Sequence, residues 1–148
     1  MMTKNIFKLG LAALAMTAAV YAKDYRAEKP DAWTAKTVPA AIEALYGKIT
    51  PVESADVKLN APDVASNGGA VPVSVKTSID AKSIAILQDA NPESLVIVFD
   101  QNENTVPNYG IKIKMKKSGT ITVIVEGKDG KFYSAKKTLE VALGGCEG

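Results

Sequence analysis

The sequence predicts an all-β protein, an immunoglobulin-like sandwich of about seven strands preceded by one short helix. Three observations lead to this prediction. Apolar and polar residues alternate with a period of two over most of the chain after Val57. Turn-forming residues interrupt the alternation at spacings of about 8–12 residues. No internal repeat, linker or low-complexity segment divides the chain, so one β-domain is expected.

The first 22 residues have the pattern of a cleaved export signal. Lys4 and Lys8 form a positive start, residues 9–20 are apolar, and small residues at Val20 and Ala22 suit a signal peptidase. The apolar run is shorter than the roughly 20 residues that span a bilayer. No Arg-Arg pair precedes it, which favours a Sec-type route over the twin-arginine one. We therefore expect a signal peptide over residues 1–22, and a domain over 23–143 that works outside the cytoplasm without a membrane anchor.

The segment from Thr37 to Gly47 predicts a short helix. Pro39 suits a first helical turn, alanine and glutamate favour the interior, and Gly47 is a typical end. Ile42, Leu45 and Tyr46 fall on one face, which we expect to cap the core.

The strands follow from alternation and from two short apolar runs. We predict half-buried strands at residues 71–75, 111–115, 121–125 and 139–143, and deeply buried strands at 84–87 and 95–99. Asp129-Gly130, between residues 121–126 and 132–137, predicts a tight hairpin. The lysines at 112, 114 and 116 are expected on the wet face of a strand, where they favour solubility or protect an edge.

Composition excludes several classes of function. The chain has no histidine, so histidine-based acid–base catalysis, a Ser-His-Asp triad and most zinc or copper sites are excluded. A single cysteine cannot form a Cys-x-x-Cys redox pair or attach haem. Lys4 and Lys8 account for the formal net charge of +2, so the rest of the chain is neutral and gives no basis for nucleic-acid binding. We predict neither a cofactor nor a metal site.

The only cysteine, Cys146, lies among glycines near the end of the chain. Leu139, Val141 and Leu143 are expected to point into the sandwich, so the domain should hold the chain up to Leu143. Cys146 then extends about 10 Å beyond it. The predicted flexible arm comprises Gly144, Gly145, Cys146, Glu147 and Gly148. A thiol here could carry a substrate into another protein, cross-link two copies, be capped, or be inert, and its accessibility favours a functional role.

Three stretches of the chain resemble the SoxY family, the sulfur-carrier subunits of bacterial periplasmic thiosulfate oxidation. The ending Leu143-Gly144-Gly145-Cys146-Glu147-Gly148 is similar to the family's Gly-Gly-Cys-Gly-Gly terminus. Ile111–Met115 with Asp129–Ala135, and Ala61-Pro62 through Asn67-Gly68 into Val71-Pro72-Val73, also look like the family.

The resemblance implies a carrier and not an enzyme, with Cys146 as the covalent attachment point. It implies a heterodimer with a small β-protein, SoxZ, in the periplasm. The haem enzyme SoxAX would join thiosulfate oxidatively to the thiol, the hydrolase SoxB would release sulfate, and a sulfane dehydrogenase, where present, would oxidise the remaining sulfur.

Two features depart from the family pattern. Glu147 replaces a glycine and places a negative charge beside the thiol, which disfavours the thiolate. The leader lacks the twin arginines that many members carry. The alternative functions are a secreted adhesion or assembly module cross-linked through Cys146 and, less favoured because nothing nearby activates the thiol, a thiol enzyme such as a peroxidase.

Overall fold

The computed structural model describes residues 23–143. The expected signal peptide (1–22) and the expected arm (144–148) lie outside the described residues. The helices are α1 (Tyr25–Glu28), α2 (Pro30–Thr34) and α3 (Val38–Tyr46). The strands are β1 (Val52–Glu53), β2 (Val57–Asn60), β3 (Val64–Ala65), β4 (Val71–Thr77), β5 (Ala81–Gln88), β6 (Leu95–Asp100), β7 (Asn108–Ile113), β8 (Gly119–Gly127) and β9 (Phe132–Val141).

The predicted helix is confirmed as α3. The Thr37 hydroxyl accepts a hydrogen bond from the Ala40 N–H at 3.3 Å, and Gly47 ends the helix with a φ of 81°. The helices α1 and α2 were not predicted, because residues 23–36 show no apolar period. Asp24 caps α1 by accepting from two backbone N–H groups, and Pro30 begins α2.

The strands form two sheets that face each other as a sandwich. The larger sheet has the order β1-β9-β8-β5-β6, with β3 also paired to β9. The smaller sheet has the order β2-β4-β7. The predicted hairpin is confirmed, since β8 and β9 pair antiparallel around Gly130, whose φ is 79°.

Two apolar clusters hold these layers together. The first lies between the sheets and contains Val71, Val73 and Val75 of the smaller sheet against Ile84 and Ile121 of the larger one. The second lies between the helices and the opposite face of the larger sheet. It includes Ala41, Leu45, Leu87 and Ile124. The helices therefore form a third layer, so the larger sheet is covered on both faces.

Two tyrosines of the helical layer make polar contacts with the larger sheet. The Tyr46 hydroxyl lies 2.8 Å from the Ser83 Oγ, and the Tyr25 hydroxyl donates to Asp100 at 3.3 Å. Burial raises the pKa of Tyr46 above its usual value and raises that of Tyr25 to about 12.

Four details of the strand prediction are corrected. Residues 121–125 were expected to have one wet face, but they are buried on both faces because β8 lies inside the larger sheet, which is covered on both sides. The predicted strands at 132–137 and 139–143 form one strand, β9, and the three short strands β1, β2 and β3 were not individually predicted. Within the apolar run Leu95–Phe99, which was expected to be deeply buried, only Leu95 is buried. Its strand, β6, ends the larger sheet, and residues 96–99 are only half-buried, because an edge strand lies at the margin of the layers that pack on the two faces of the sheet.

No helix within residues 23–143 has the length and apolar character needed to cross a membrane.

Candidate functional site

The predicted site residues all lie beyond the last described residue, Leu143. Cys146, with Gly144, Gly145, Glu147 and Gly148, is outside the described residues. The structure does describe the place from which that segment leaves the domain. We call this place the arm root and define it as residues 139–143 with the two loops that contact them, residues 66–69 and 114–118.

The end of β9 is held by backbone hydrogen bonds on one side. Residues 140 and 141 pair in parallel with β3. The Glu140 N–H donates to the Asp63 carbonyl and the Ala142 N–H to the Ala65 carbonyl, both at 2.9 Å. Lys137 also forms an ion pair with Asp63. The backbone of β9 is therefore still held by hydrogen bonds beyond the point where its pairing with β8 ends.

Gly68 secures the last described residue. Its N–H donates to the Leu143 carbonyl at 2.8 Å, and its own carbonyl accepts from the Met115 N–H at 2.7 Å. A Cβ on Gly68 would overlap the Met115 carbonyl oxygen and would lie 2.7 Å from the Val141 Cγ1 and 2.8 Å from the Leu143 carbonyl oxygen. The close approach of three backbone segments thus requires glycine at this position.

The expectation that Leu143 points into the sandwich is wrong. Leu139 is buried and Val141 is partly buried against the core between the sheets, but 63% of Leu143 is exposed. Regular pairing in β9 ends at Val141, so the inward alternation does not continue to Leu143. The backbone of Leu143 is held through Gly68, while its side chain faces solvent.

The other side of the arm root is formed by a lysine-rich loop. Asn91 fixes this loop, since its Nδ2 donates to the Lys114 carbonyl at 2.7 Å and its Oδ1 accepts from the Lys116 N–H at 2.9 Å. The Val141 N–H donates to the Ser118 Oγ at 2.8 Å. Lys114, Lys116 and Lys117 are exposed. Beyond the end of β7, the lysine row therefore belongs to a loop at the arm root.

The arm root combines a backbone held in a fixed position with nearby positive side chains. Within residues 23–143, no group of three or more His, Cys, Asp or Glu side chains is placed to hold a metal ion. The arrangement can hold an emerging chain at a fixed point and places the ammonium groups of Lys114, Lys116 and Lys117 on one side of it, where they attract anions at short range.

Sequence reasoning did not find Gly68, Asn91 and Ser118 as supporting residues. In the sequence, Asn67-Gly68, Asn91-Pro92 and Ser118-Gly119 have the composition of ordinary turns, but their contacts join segments more than 20 residues apart. No local pattern marks such contacts, and the proximity of Asn67-Gly68 to the end of β9 required the tertiary structure.

Comparisons with known proteins agree with this architecture. Residues 42–146 match the family model described as sulfur oxidation protein SoxY. The chain is also similar to the solved structure of the sulfur carrier protein SoxY from Chlorobium limicola f thiosulfatophilum, with 34% sequence identity and a TM-score of 0.64. That alignment covers 70% of this chain and 94% of the other chain. No curated protein sequence matches this chain.

More distant structures share the fold alone. Two structures of superoxide reductase (neelaredoxin) from Ignicoccus hospitalis align with 18% identity and TM-scores of 0.52 and 0.53. The first alignment covers 59% of this chain and 82% of that chain, and the second covers 72% and 89%.

Proposed function

Because this chain belongs to the SoxY family and is a sulfur carrier protein, not an enzyme, we propose that it carries sulfur covalently on the Sγ of Cys146. The family match itself extends to residue 146. Cys146 is the only cysteine in the sequence, so no other thiol is available for a covalent adduct.

The fixed arm root supports a carrier mechanism. Gly68 and β3 hold the backbone at residues 140–143, which gives the following segment a defined starting point on the domain. Three further residues reach at most about 10 Å. A thiol at that distance can enter the active site of another protein while the β-domain remains outside. The glycines before Cys146 keep the segment narrow.

The charge at the arm root suits an anionic cargo. Lys114, Lys116 and Lys117 are exposed on the loop whose Met115 and Ser118 bond to Gly68 and Val141 at the arm root. A charge in solvent acts over a Debye length of about 8–10 Å at ordinary ionic strength, which is comparable with the reach of the segment. The lysines therefore offset the negative charges of Glu147 and of a sulfonate adduct.

The chemistry that we propose for the thiol is oxidative conjugation with thiosulfate. The cysteine sulfur forms a bond with the sulfane sulfur of thiosulfate, the thiol loses its proton, and two electrons pass to a SoxAX-type haem enzyme. Water then attacks the terminal sulfonate in a SoxB-type hydrolase, which releases sulfate and leaves a persulfide on Cys146. A sulfane dehydrogenase, where present, oxidises the remaining sulfur.

The partner, location and domain limits belong to the same proposal. We infer a heterodimer with a SoxZ-like small β-protein, export to the periplasm by a Sec-type signal over residues 1–22, and an arm over residues 144–148. The leader pattern supports export. The two facing sheets, whose pairs are antiparallel apart from β1 and β3 with β9, support an immunoglobulin-like sandwich.

Loading of the purified protein tests this assignment. The full chain is incubated with thiosulfate and a SoxAX-type enzyme, and its intact mass is measured with and without a reductant. We expect a reductant-removable thiosulfonate adduct on the peptide that contains Cys146, and none on Cys146→Ser. Equal labelling of Cys146→Ser, or no adduct on either protein, would contradict the proposal.

A further inference from the structure

One side of the sandwich is open between the two edge strands β6 and β7. The strand β6 ends the larger sheet and β7 ends the smaller one. Between them lies a groove of about 700 Å³, lined on its apolar walls by Leu95, Ile97, Ile111 and Ile113.

The helix α2 packs against β6 on the helix-covered face, but the side chains of β6 themselves lack the usual protection against pairing with another strand. The residues from Leu95 to Phe99 are all apolar, whereas exposed edge strands usually carry lysine, proline or an inward-pointing charge. The opposite edge of the same sheet is different, because β1 and β3 cover β9 there. A bulge at Val96 limits the regular part of the free edge to Ile97–Asp100.

The backbone of Val98 is free to pair on this edge. The Gln101 N–H donates to the Lys82 carbonyl at 2.9 Å, which fixes the hydrogen-bonded positions of the β5–β6 ladder. Antiparallel pairing alternates, so the N–H and C=O of Val98, opposite Ala85, point away from β5. In the described part of the chain β6 pairs with β5 alone, so no strand meets those groups.

The two walls of the groove are held in place before anything binds. The rings of Phe99 on β6 and Tyr109 on β7 stack with centroids 3.9 Å apart and planes 2° apart. The Gln101 Nε2 donates to the Tyr109 hydroxyl at 2.7 Å. These contacts join the strands at one end and leave the groove open toward Ile111 and Ile113, so little ordering is needed on binding.

The charges available at the groove are positive. Lys112 and Lys114 stand exposed on its β7 rim, and neither takes part in an ion pair among residues 23–143. The acidic residue on the other rim, Glu93, is already paired with Lys36 at 3.5 Å. An occupant with carboxylates opposite the lysines would therefore be complementary in charge.

We propose that this side docks an edge strand of the small β-protein partner, which extends the larger sheet beyond β6. The docking strand is apolar at alternate positions, where it covers Ile97 and Ile111, and carries acidic side chains facing Lys112 and Lys114. The identity of this partner rests on the proposed function. Self-pairing is disfavoured, because a two-fold axis at β6 brings the Lys112 and Lys114 rims of two copies face to face.

Binding of two variants to a SoxZ-family protein tests the surface. Val98→Pro removes an N–H that bonds to nothing in the domain, which an edge strand tolerates, and it blocks addition of a strand. The double variant Lys112→Glu/Lys114→Glu reverses the rim charge. The matched control, Lys58→Glu/Lys76→Glu, makes the same charge change on exposed lysines of β2 and β4.

Isothermal titration calorimetry with the full chain gives the affinity, and hydrogen exchange locates the contact. We expect the dissociation constant to rise at least about tenfold for each groove variant and to stay within about threefold for the control. Amide protection on complex formation should appear at residues 96–100, and sulfur loading of free Val98→Pro should be unchanged.

Three outcomes would overturn the inference, and one of them also affects the proposed function. If both groove variants bind the SoxZ-family protein with wild-type affinity and amide protection appears elsewhere, the groove is not the docking surface, but the proposed heterodimer stands. If the full chain forms a homodimer that Val98→Pro dissociates, the groove binds a second copy of this chain and not the partner that we assign to it. No complex at all with the wild-type chain removes the proposed heterodimer, while the carrier role of Cys146 is judged separately by the loading experiment.

Discussion

Replacing Gly68 with alanine tests whether the arm root is built as the structure indicates. The added methyl group would overlap the Met115 carbonyl oxygen and would lie 2.7 Å from Val141 and 2.8 Å from the Leu143 carbonyl. Two of the three clashing atoms belong to backbone, which cannot move aside as the end of a side chain can. The loops must therefore separate, which weakens the two backbone hydrogen bonds of Gly68.

The magnitude follows from these two effects. Overpacking costs about 1–3 kcal/mol, and the two weakened hydrogen bonds together cost about 1 kcal/mol, so we expect Gly68→Ala to lower the free energy of unfolding by about 2–4 kcal/mol. Gly110→Ala is the matched control. Nothing lies within 4 Å of a Cβ at Gly110, and its φ is not positive. There the substitution should raise the free energy of unfolding by about 0.5–1 kcal/mol.

Urea unfolding, followed by circular dichroism, gives both free energies, and hydrogen exchange reports the amides at positions 68 and 115. We expect opposite signs for the two variants, with faster exchange at both amides only in Gly68→Ala. If Gly68→Ala is as stable as the wild type, or if the two variants shift stability equally, the close packing at the arm root is wrong.

Three further predictions concern the tyrosine pair, the loop at the arm root and the thiol. Burial raises the pKa of Tyr25 to about 12 and holds that of Tyr46 above its usual value, so unfolding releases protons and stability should fall as the pH rises above about 10. Urea titrations at increasing pH should show a shallower fall for Tyr46→Phe, and an unchanged slope would contradict the assignment. Ser118→Ala removes the acceptor of the Val141 N–H and should lower the free energy of unfolding by about 0.5–1.5 kcal/mol in the same urea assay, clearly less than Gly68→Ala. Glu147→Gly removes a negative charge beside Cys146, so alkylation of the thiol at neutral pH should become faster; an equal rate in both proteins would show that Glu147 does not modulate the thiol.

The local parts of the fold could be predicted from the sequence. Asp129-Gly130 fixed the β8–β9 hairpin because a positive φ at Gly130 is a local requirement. The alternation at Val71, Val73 and Val75 identified β4 and its buried face, since that period depends only on neighbouring residues.

The errors concern residues whose environment depends on distant segments. An apolar run such as Leu95–Phe99 has the same pattern in the centre of a sheet as at its edge, and only the strand order distinguishes the two. Leu143 was expected to be buried because the alternation of β9 was continued past the last paired residue. The two helices before Thr37 depend on single capping residues, Asp24 and Pro30, and not on an apolar period.

The residues that support the candidate site could not be predicted from the sequence for the same reason. Gly68 has no local feature that separates it from an ordinary turn glycine, and its role arises where residues 68, 115 and 143 meet. The thiol itself, Cys146, stood out in the sequence because it is unique and lies among glycines. Its attachment of sulfur stays a prediction.

The central claim is that Cys146 holds the cargo. The most direct measurement is the mass of the peptide containing Cys146, from protein isolated from thiosulfate-grown cells and analysed with and without reductant. We predict sulfur or thiosulfonate adducts on Cys146 that reductant removes. A bare thiol under all conditions, or only a disulfide between two copies, would contradict the claim.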